Sequence, residues 1–213
     1  MVRGKRIFLR DGSEVLIRPI EPADRDLITD GFSRLSLQSR WYRFLTGKPE
    51  LSAQELRYFT EVDHHDHEAL AALDYLDGRG LGVARYIRHV DDSAVAEVAV
   101  AVIDDWQGRG LGTELLTQLT DRAREEGIRR FTALVAADNA AVLGLLRDTG
   151  AVFRVTHRDR STVEYELTLA PVGLGGELHA LLRAFGRRQI RAPTPIPDIL
   201  AALIPDRLAH DDE

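Results

Sequence analysis

Apolar and polar positions alternate along Arg6 to Arg10 and again along Glu14 to Pro19, which predicts two strands. Asp11-Gly12 between them is a hairpin turn signal. At Pro22-Ala23-Asp24-Arg25-Asp26 the pattern changes: a proline at the start with acids in the first turn opens a helix. Helical spacing continues over Leu37 to Leu45 and Ser52 to Val62. Period two then returns in three strands, Ala69 to Tyr75, Leu81 to His89 and Val95 to Ile103, with turns at Asp77-Gly78 and Asp91-Asp92. The third is nearly all valine and alanine, as in a strand buried on both faces. A long amphipathic helix follows over Leu111 to Glu126, then a strand over Ile128 to Ala137. That order predicts a β-α-β crossover with parallel strands. Asp138-Asn139 is a suitable N-cap pair for a helix over Ala140 to Asp148, stopped by Gly150. Two strands, Val152 to His157 and Thr162 to Leu169, complete the pattern.

The chemistry concentrates where the apolar strand meets the long helix, at Gln107-Gly108-Arg109-Gly110-Leu111-Gly112. A glycine loop at a helix N-terminus gathers unpaired N–H groups and the positive dipole end, and absent side chains let a phosphate approach. Three loop chemistries share this look. The nucleotide-hydrolase loop needs Lys-Ser/Thr after its last glycine, but Thr113-Glu114 follows here. The dinucleotide fingerprint needs a third glycine where Thr113 stands, near the start of a domain rather than in mid-chain. Gln/Arg-x-x-Gly-x-Gly/Ala fits at every fixed position, Gln107, Gly110 and Gly112.

That last pattern is the coenzyme A pyrophosphate loop of the GNAT N-acyltransferases, and residues 5–170 resemble that superfamily in element order as well. Within it the chain is similar to the Pat-like branch of bacterial protein lysine acetyltransferases. The similarity rests on Leu9-Arg10-Asp11-Gly12-Ser13, Ile17-Arg18-Pro19-Ile20, Ser39-Arg40-Trp41-Tyr42-Arg43-Phe44, Val62-Asp63-His64 and the block from Ala96 through Gly112. The resemblance implies an α/β (α+β) fold, a mixed, mostly antiparallel central sheet flanked by helices, and a helical C-terminal tail. It also implies acetyl-CoA as co-substrate. The cyclic-nucleotide-binding domain of some Pat members has no counterpart here, so that form of regulation is expected to be absent.

The resemblance also places the site. Backbone groups of Val100, Ala101 and Val102 would meet the pantetheine arm and the thioester carbonyl. Gln107, Gly108, Arg109, Gly110, Leu111 and Gly112 would form the pyrophosphate loop, and Asn139 would reach the coenzyme arm. Glu97 matches the branch's general base, which deprotonates the acceptor amine directly or through water. As a residue, Glu97 is the one carboxylate in an otherwise apolar strand. It is either a solvated strand end or a placed proton acceptor, and partial burial would raise its pKa toward the working range. Many members carry a general-acid tyrosine where this chain has Leu146. Tyr165 is a substitute on paper, although a tyrosine packed in the sheet is the simpler reading.

Other groups have plainer readings. His64, His65 and His67 with Asp63 and Asp66 lack the spacing of a metal site and read as a polar turn, one that could also line the acceptor cleft. Arg40, Trp41, Tyr42 and Arg43 are either packing aromatics with solvated arginines or acceptor contacts. The absence of cysteine rules out an acetyl-cysteine intermediate. Met1 to Arg10 is too polar for a signal peptide and no run approaches a membrane span, so a cytoplasmic location is expected. The net charge of −6 argues against bulk nucleic-acid binding and favours basic acceptors. Lys5 and Lys48 are the only lysines among 28 basic residues, as in proteins of GC-rich bacteria, and leave little scope for self-acetylation.

The expected organisation is a catalytic domain over 1–170 and a tail over 171–213. In the tail a Pro/Gly linker precedes an apolar stripe, Leu178, Leu181, Leu182 and Phe185, beside a basic face. Such a stripe is expected to dock on the parent domain or on a second copy, giving a homodimer. The expected acceptor is a protein lysine, with a small amine or amino acid as the alternative. A coenzyme-A-binding regulatory module without catalysis is the alternative outside enzymology.

Overall fold

The computed structural model describes residues 4–148 and 152–169. An eight-stranded sheet runs through the domain in the order β1-β2-β3-β4-β5-β6-β8-β7. Its strands are β1 (Lys5–Phe8), β2 (Glu14–Pro19), β3 (His67–Asp74), β4 (Gly80–Arg88), β5 (Val95–Val102), β6 (Arg130–Ala136), β7 (Val152–Arg158) and β8 (Thr162–Thr168). Every pairing is antiparallel except β5 with β6. The helices are α1 (Arg25–Ser33), α2 (Leu37–Phe44), α3 (Ala53–Thr60), α4 (Leu111–Glu125) and α5 (Ala140–Asp148). This is the mixed, mostly antiparallel α/β architecture that the resemblance implies. The linker, stripe and dimer expected of 171–213 lie outside the described residues.

Local chemistry fixes the element ends. Ser52 caps α3 in a reciprocal box, its hydroxyl accepting from Glu55 N and Glu55 accepting from Ser52 N. Strand β1 stops at Phe8 rather than Arg10 because Leu9 and Gly12 already bond across the turn, Leu9 N to Ser13 O and Gly12 N to Leu9 O. Strand β6 starts at Arg130 rather than Ile128. Gly127 turns the chain with φ of 79°, and Ile128, fully buried, bonds back to Ala123 O at the end of α4.

Alternate residues of β4 serve two faces. Ala84 and Tyr86 join the main core with Leu111, Leu115 and Leu119 of α4, while Val83 packs with Ile28 of α1 and Phe59 of α3. Full burial of each such leucine contributes about 1.5–3 kcal/mol. Helix α4 is further tied to β3 by ionic contacts. Glu68, buried, accepts from Arg122 Nε at 3.3 Å and from Ala69 N at 2.9 Å.

Candidate active site

The site begins with a divergence of strands. Strand β4 follows β5 along its length, from Arg88 opposite Ala96 to Gly82 opposite Val102. Strand β6 keeps to β5 for only three positions, Val95, Ala96 and Glu97, opposite Arg130, Phe131 and Thr132. Its other edge pairs with β8 throughout, from Arg130 opposite Thr168 to Ala136 opposite Thr162. The two strands therefore splay from Val98 onward. They leave a cleft of about 480 Å³ between Val98–Val102 on one wall and Ala133–Val135 on the other. Backbone groups on the open edge of β5 have no strand partner in β6, and an extended ligand arm with amide groups can take that place.

The glycine loop closes one end of this cleft. Gly108 and Gly110 hold φ of 72° and 91°, a region that side chains with a Cβ rarely adopt. Gly110 is the N-cap of α4, and the first helical bond runs from Glu114 N to Gly110 O at 3.1 Å. The N–H groups of Leu111, Gly112 and Thr113 thus precede the hydrogen-bond ladder and form an anion nest at the positive helix end. A Cβ on Gly110 would lie 3.7 Å from Arg10 Nε, so a guanidinium stands over the nest. The sequence does not single out Arg10 for this role. The hairpin that carries it is distant in the chain, and only the sheet brings the two together.

Gln107 works as a strap. Its Nε2 donates to Val102 O at 3.0 Å and to Ser39 Oγ at 3.1 Å. Asp104 continues the strap, accepting from Ser36 N, Ser36 Oγ and Ser39 Oγ at 2.7–3.0 Å. Burial pushes the Asp104 carboxyl up, but these donors outweigh it and hold it below its ordinary value. The loop is thereby fixed to the N-terminus of α2. Arg109 turns away from the cleft to pair with Asp11 at 3.2 Å and to lie over the Trp106 ring at 4.8 Å.

Of the residues assigned from sequence, Val100, Ala101, Val102, Gln107, Gly108, Gly110, Gly112 and Asn139 line the cleft. Leu111 points into the core and can offer only its backbone. Glu97 sits just outside, as the last β5 residue paired with β6. It is exposed. Strand alternation sends Ala96 and Val98 inward and leaves Glu97 at the opposite rim. The half-buried Arg43 of α2 lies close enough to feel its charge. Burial pushes the Arg43 guanidinium down, and attraction to Glu97 partly offsets this.

Leu146 lines the cleft as an apolar wall. Tyr165 is core, buried with its ring 5.8 Å from that of Phe153. Tyr42 does line the cleft, and its hydroxyl accepts from Gln38 Nε2 at 2.9 Å, which leaves its own proton to donate. Arg40 is structural, donating to the carbonyls of Ser33, Leu35 and Pro49. The histidine cluster is a turn held by Asp63, whose Oδ1 accepts from the N–H groups of His65, Asp66 and His67 at 2.8–2.9 Å.

A splayed parallel pair beside a glycine nest is a geometry for a coenzyme with a pyrophosphate and an extended amide arm. The profile of the Acetyltransferase (GNAT) family matches residues 35–151. The chain belongs to the GNAT acetyltransferases. As such it is an acetyltransferase that draws on acetyl-CoA. This GNAT enzyme is 34% identical over 163 residues to Acetyltransferase PA5475 of Pseudomonas aeruginosa, covering 76% of this chain and 87% of that one. It is 32% identical over 189 residues to Acetyltransferase Pat of Mycolicibacterium smegmatis. The match covers 87% of this chain but 56% of the relative, so the chain spans little more than half of that protein. Among solved structures, the GNAT domain of S. lividans PAT superposes with a TM-score of 0.72 at 32% identity, covering 78% of this chain and 96% of that domain.

Proposed function

We propose that this acetyltransferase transfers the acetyl group directly to a primary amine, with a protein lysine as the leading acceptor. The observation that carries the reading is the splay of β5 from β6, which sets an open strand edge beside the glycine nest, with Glu97 just outside the cleft at the point where the strands part. The phosphates of acetyl-CoA would sit on the N–H groups of Leu111, Gly112 and Thr113 with Arg10 alongside. The pantetheine arm would run along Val100 to Val102 past Asn139, and Gly108 and Gln107 would shape the loop around it. Glu97 would take the proton from the incoming ammonium, directly or through one water. The neutral amine then attacks the thioester carbon while backbone N–H groups of β5 hold the oxyanion. A chain without cysteine fits direct transfer.

Similarity to the Pat proteins favours lysine, and a carboxylate exposed at the rim suits a side chain extended from another protein's surface. A second reading, a small amino-acid acceptor, is favoured by two arginines in a hollow next to the cleft. It also agrees with a 54-residue stretch 44% identical to the L-methionine sulfoximine/L-methionine sulfone acetyltransferase of Pseudomonas aeruginosa. A cytoplasmic setting accords with the need for acetyl-CoA. Among the described residues no helix is long and apolar enough to cross a membrane.

The test is calorimetric titration with acetyl-CoA followed by thiol-release assays, on the wild type and on Glu97→Gln. The variant should bind acetyl-CoA as the wild type does and lose roughly 10²–10⁴-fold in kcat, the range of a general base. Unchanged turnover across pH would remove Glu97 from that role. Binding without thiol release on any amine would leave a coenzyme-A-binding module in place of an enzyme.

A further inference from the structure

Next to the cleft, between the sheet and α1–α3, lies a second hollow of about 80 Å³. Its walls are apolar, with Ile28, Phe32, Phe44, Phe59, Val83 and Ile103 prominent. At roughly 10–15 Å³ per water this is room for about five to eight waters, enough for a carboxylate and a few carbons. Two charged side chains line it, Arg43 and Arg85. Leu35, Arg43 and Ala101 line both this hollow and the coenzyme cleft, so Arg43 stands at the junction.

The two arginines are poorly compensated. Arg85 is 5% exposed. It donates to two neutral acceptors, Phe59 O at 3.2 Å and His67 Nε2 at 3.1 Å, and lies over the Phe59 ring at 4.5 Å. Arg43 lies over the Phe44 ring at 5.0 Å. Among the described residues neither forms an ion pair, and each guanidinium repels the other. Burial and the charge of Arg43 push Arg85 down to about 9. Arg43 has only the more distant charge of Glu97 to offset its burial and Arg85 has no anion at hydrogen-bond distance among the described residues, whereas a carboxylate entering the hollow would be held bidentately by a planar fork.

We infer that the acceptor carries a carboxylate a few bonds from its reactive amine, and that this carboxylate seats against Arg43 and Arg85. The amine would then face the thioester across Ala101, within the field that joins Arg43 to Glu97. A free amino acid offers this chemistry, and so does a lysine beside a glutamate or aspartate. The inference rests on the acetyl-transfer reading. In that reaction Glu97 takes one proton from the ammonium and passes it to solvent, an N–C bond forms at the acetyl carbon, the C–S bond breaks, and the second nitrogen proton goes through solvent to the leaving thiolate.

The experiment compares matched acceptors with acetyl-CoA and the full chain. One arm sets L-leucine against isoamylamine and L-phenylalanine against phenethylamine. The other sets a lysine peptide with glutamate beside the lysine against its glutamine counterpart. At least one carboxylated member should exceed its partner in kcat/KM by about 10- to 100-fold, the order of a charged hydrogen-bonded contact. The arm in which this happens names the source of the carboxylate. Arg85→Met and Arg43→Met, each near in volume, should collapse the ratio toward unity, Arg85→Met by raising KM while kcat holds and Arg43→Met by raising KM with a change in kcat as well, since its charge acts on Glu97. A misfolded variant would instead lose both partners alike, and circular dichroism with acetyl-CoA titration checks for that.

Ratios near unity in both arms of the wild type would overturn the inference. So would an unchanged ratio in both variants. A preference for succinyl-CoA over acetyl-CoA that Arg85→Met abolishes would also overturn it, by moving the carboxylate to the acyl side. Should no acceptor release thiol, the acetyl-transfer reading fails separately. Calorimetric titration of the acetyl-CoA-saturated protein with the same compounds then decides. Carboxylate-selective binding lost in Arg85→Met upholds the seat, and no selectivity removes it.

Discussion

His67 shows how one side chain is set by its neighbours. Burial lowers its pKa to about 4, the charge of Arg85 and that of His64 push the same way, and Asp63 opposes them. Packed against the Tyr58 ring at 5.1 Å, the imidazole stays neutral, so Nε2 keeps the lone pair that accepts from Arg85 at 3.1 Å. In the unfolded chain a histidine binds its proton near pH 6.5. Between there and about pH 4 the unfolded state holds the extra proton, so stability is full above 6.5 and falls as pH drops through the window. The thermal midpoint of the wild type should therefore decline from pH 6.5 to 4 more steeply than that of His67→Gln. Parallel declines would show that His67 is not the group responsible. At this scale the sequence was legible where one residue broke a local rule. Glu97 stands out in an apolar strand, as Gly110 does before a helix. Arg10, Arg43 and Arg85 break no local rule, and each gains its place only when strands far apart in the chain are laid side by side.

Elements were the most legible level, because period two and period 3.6 are local properties of the chain. Helix α5 and strand β2 begin and end where the pattern puts them. Sheet order was less so. Strands β7 and β8 both alternate, yet β8 inserts beside β6 and β7 takes the edge with most of its residues exposed. Nor does any periodicity announce that β6 leaves β5 after three pairs. Gly82 marks the element that makes the cleft wall. A Cβ there would meet Ala101 O at 2.8 Å, a backbone atom of β5, with Val102 Cγ2 and Leu115 Cδ1 at 3.2 and 3.3 Å. Gly82→Ala should wedge β4 from β5 at the end nearest the loop and cost about 1–3 kcal/mol, the range of overpacked cores. Urea unfolding measures that cost directly. A stability within experimental error of wild type would mean that the strand pair can open without loss.

At the scale of the whole molecule the seam between β5 and β6 joins two unequal parts, β1–β5 with α1–α4 on one side and β6–β8 on the other. Strand pairing across it covers three positions, extended by Arg129 N and Arg130 N donating to Ala94 O and by the Arg130–Asp92 ion pair, and the rest is side-chain packing such as the rings of Tyr86 and Phe131 at 6.1 Å. A coenzyme lying in the splay would touch both parts, with Val98–Val102 and the nest on one wall and Ala133–Val135 on the other. Ligand that binds only the folded state stabilises it by mass action, by about 2.7 kcal/mol at a hundredfold excess over Kd. For a domain of this size that is a rise of roughly 5–10 °C in the thermal midpoint. Acetyl-CoA should produce this shift in the wild type and in Glu97→Gln, which keeps every phosphate contact. Gly110→Asp should show none. It places a Cβ at φ of 91° and a negative charge between the N–H nest and Arg10, where the phosphates belong. Equal shifts in wild type and Gly110→Asp would mean that the coenzyme binds elsewhere on the fold, and the splay would then need another occupant.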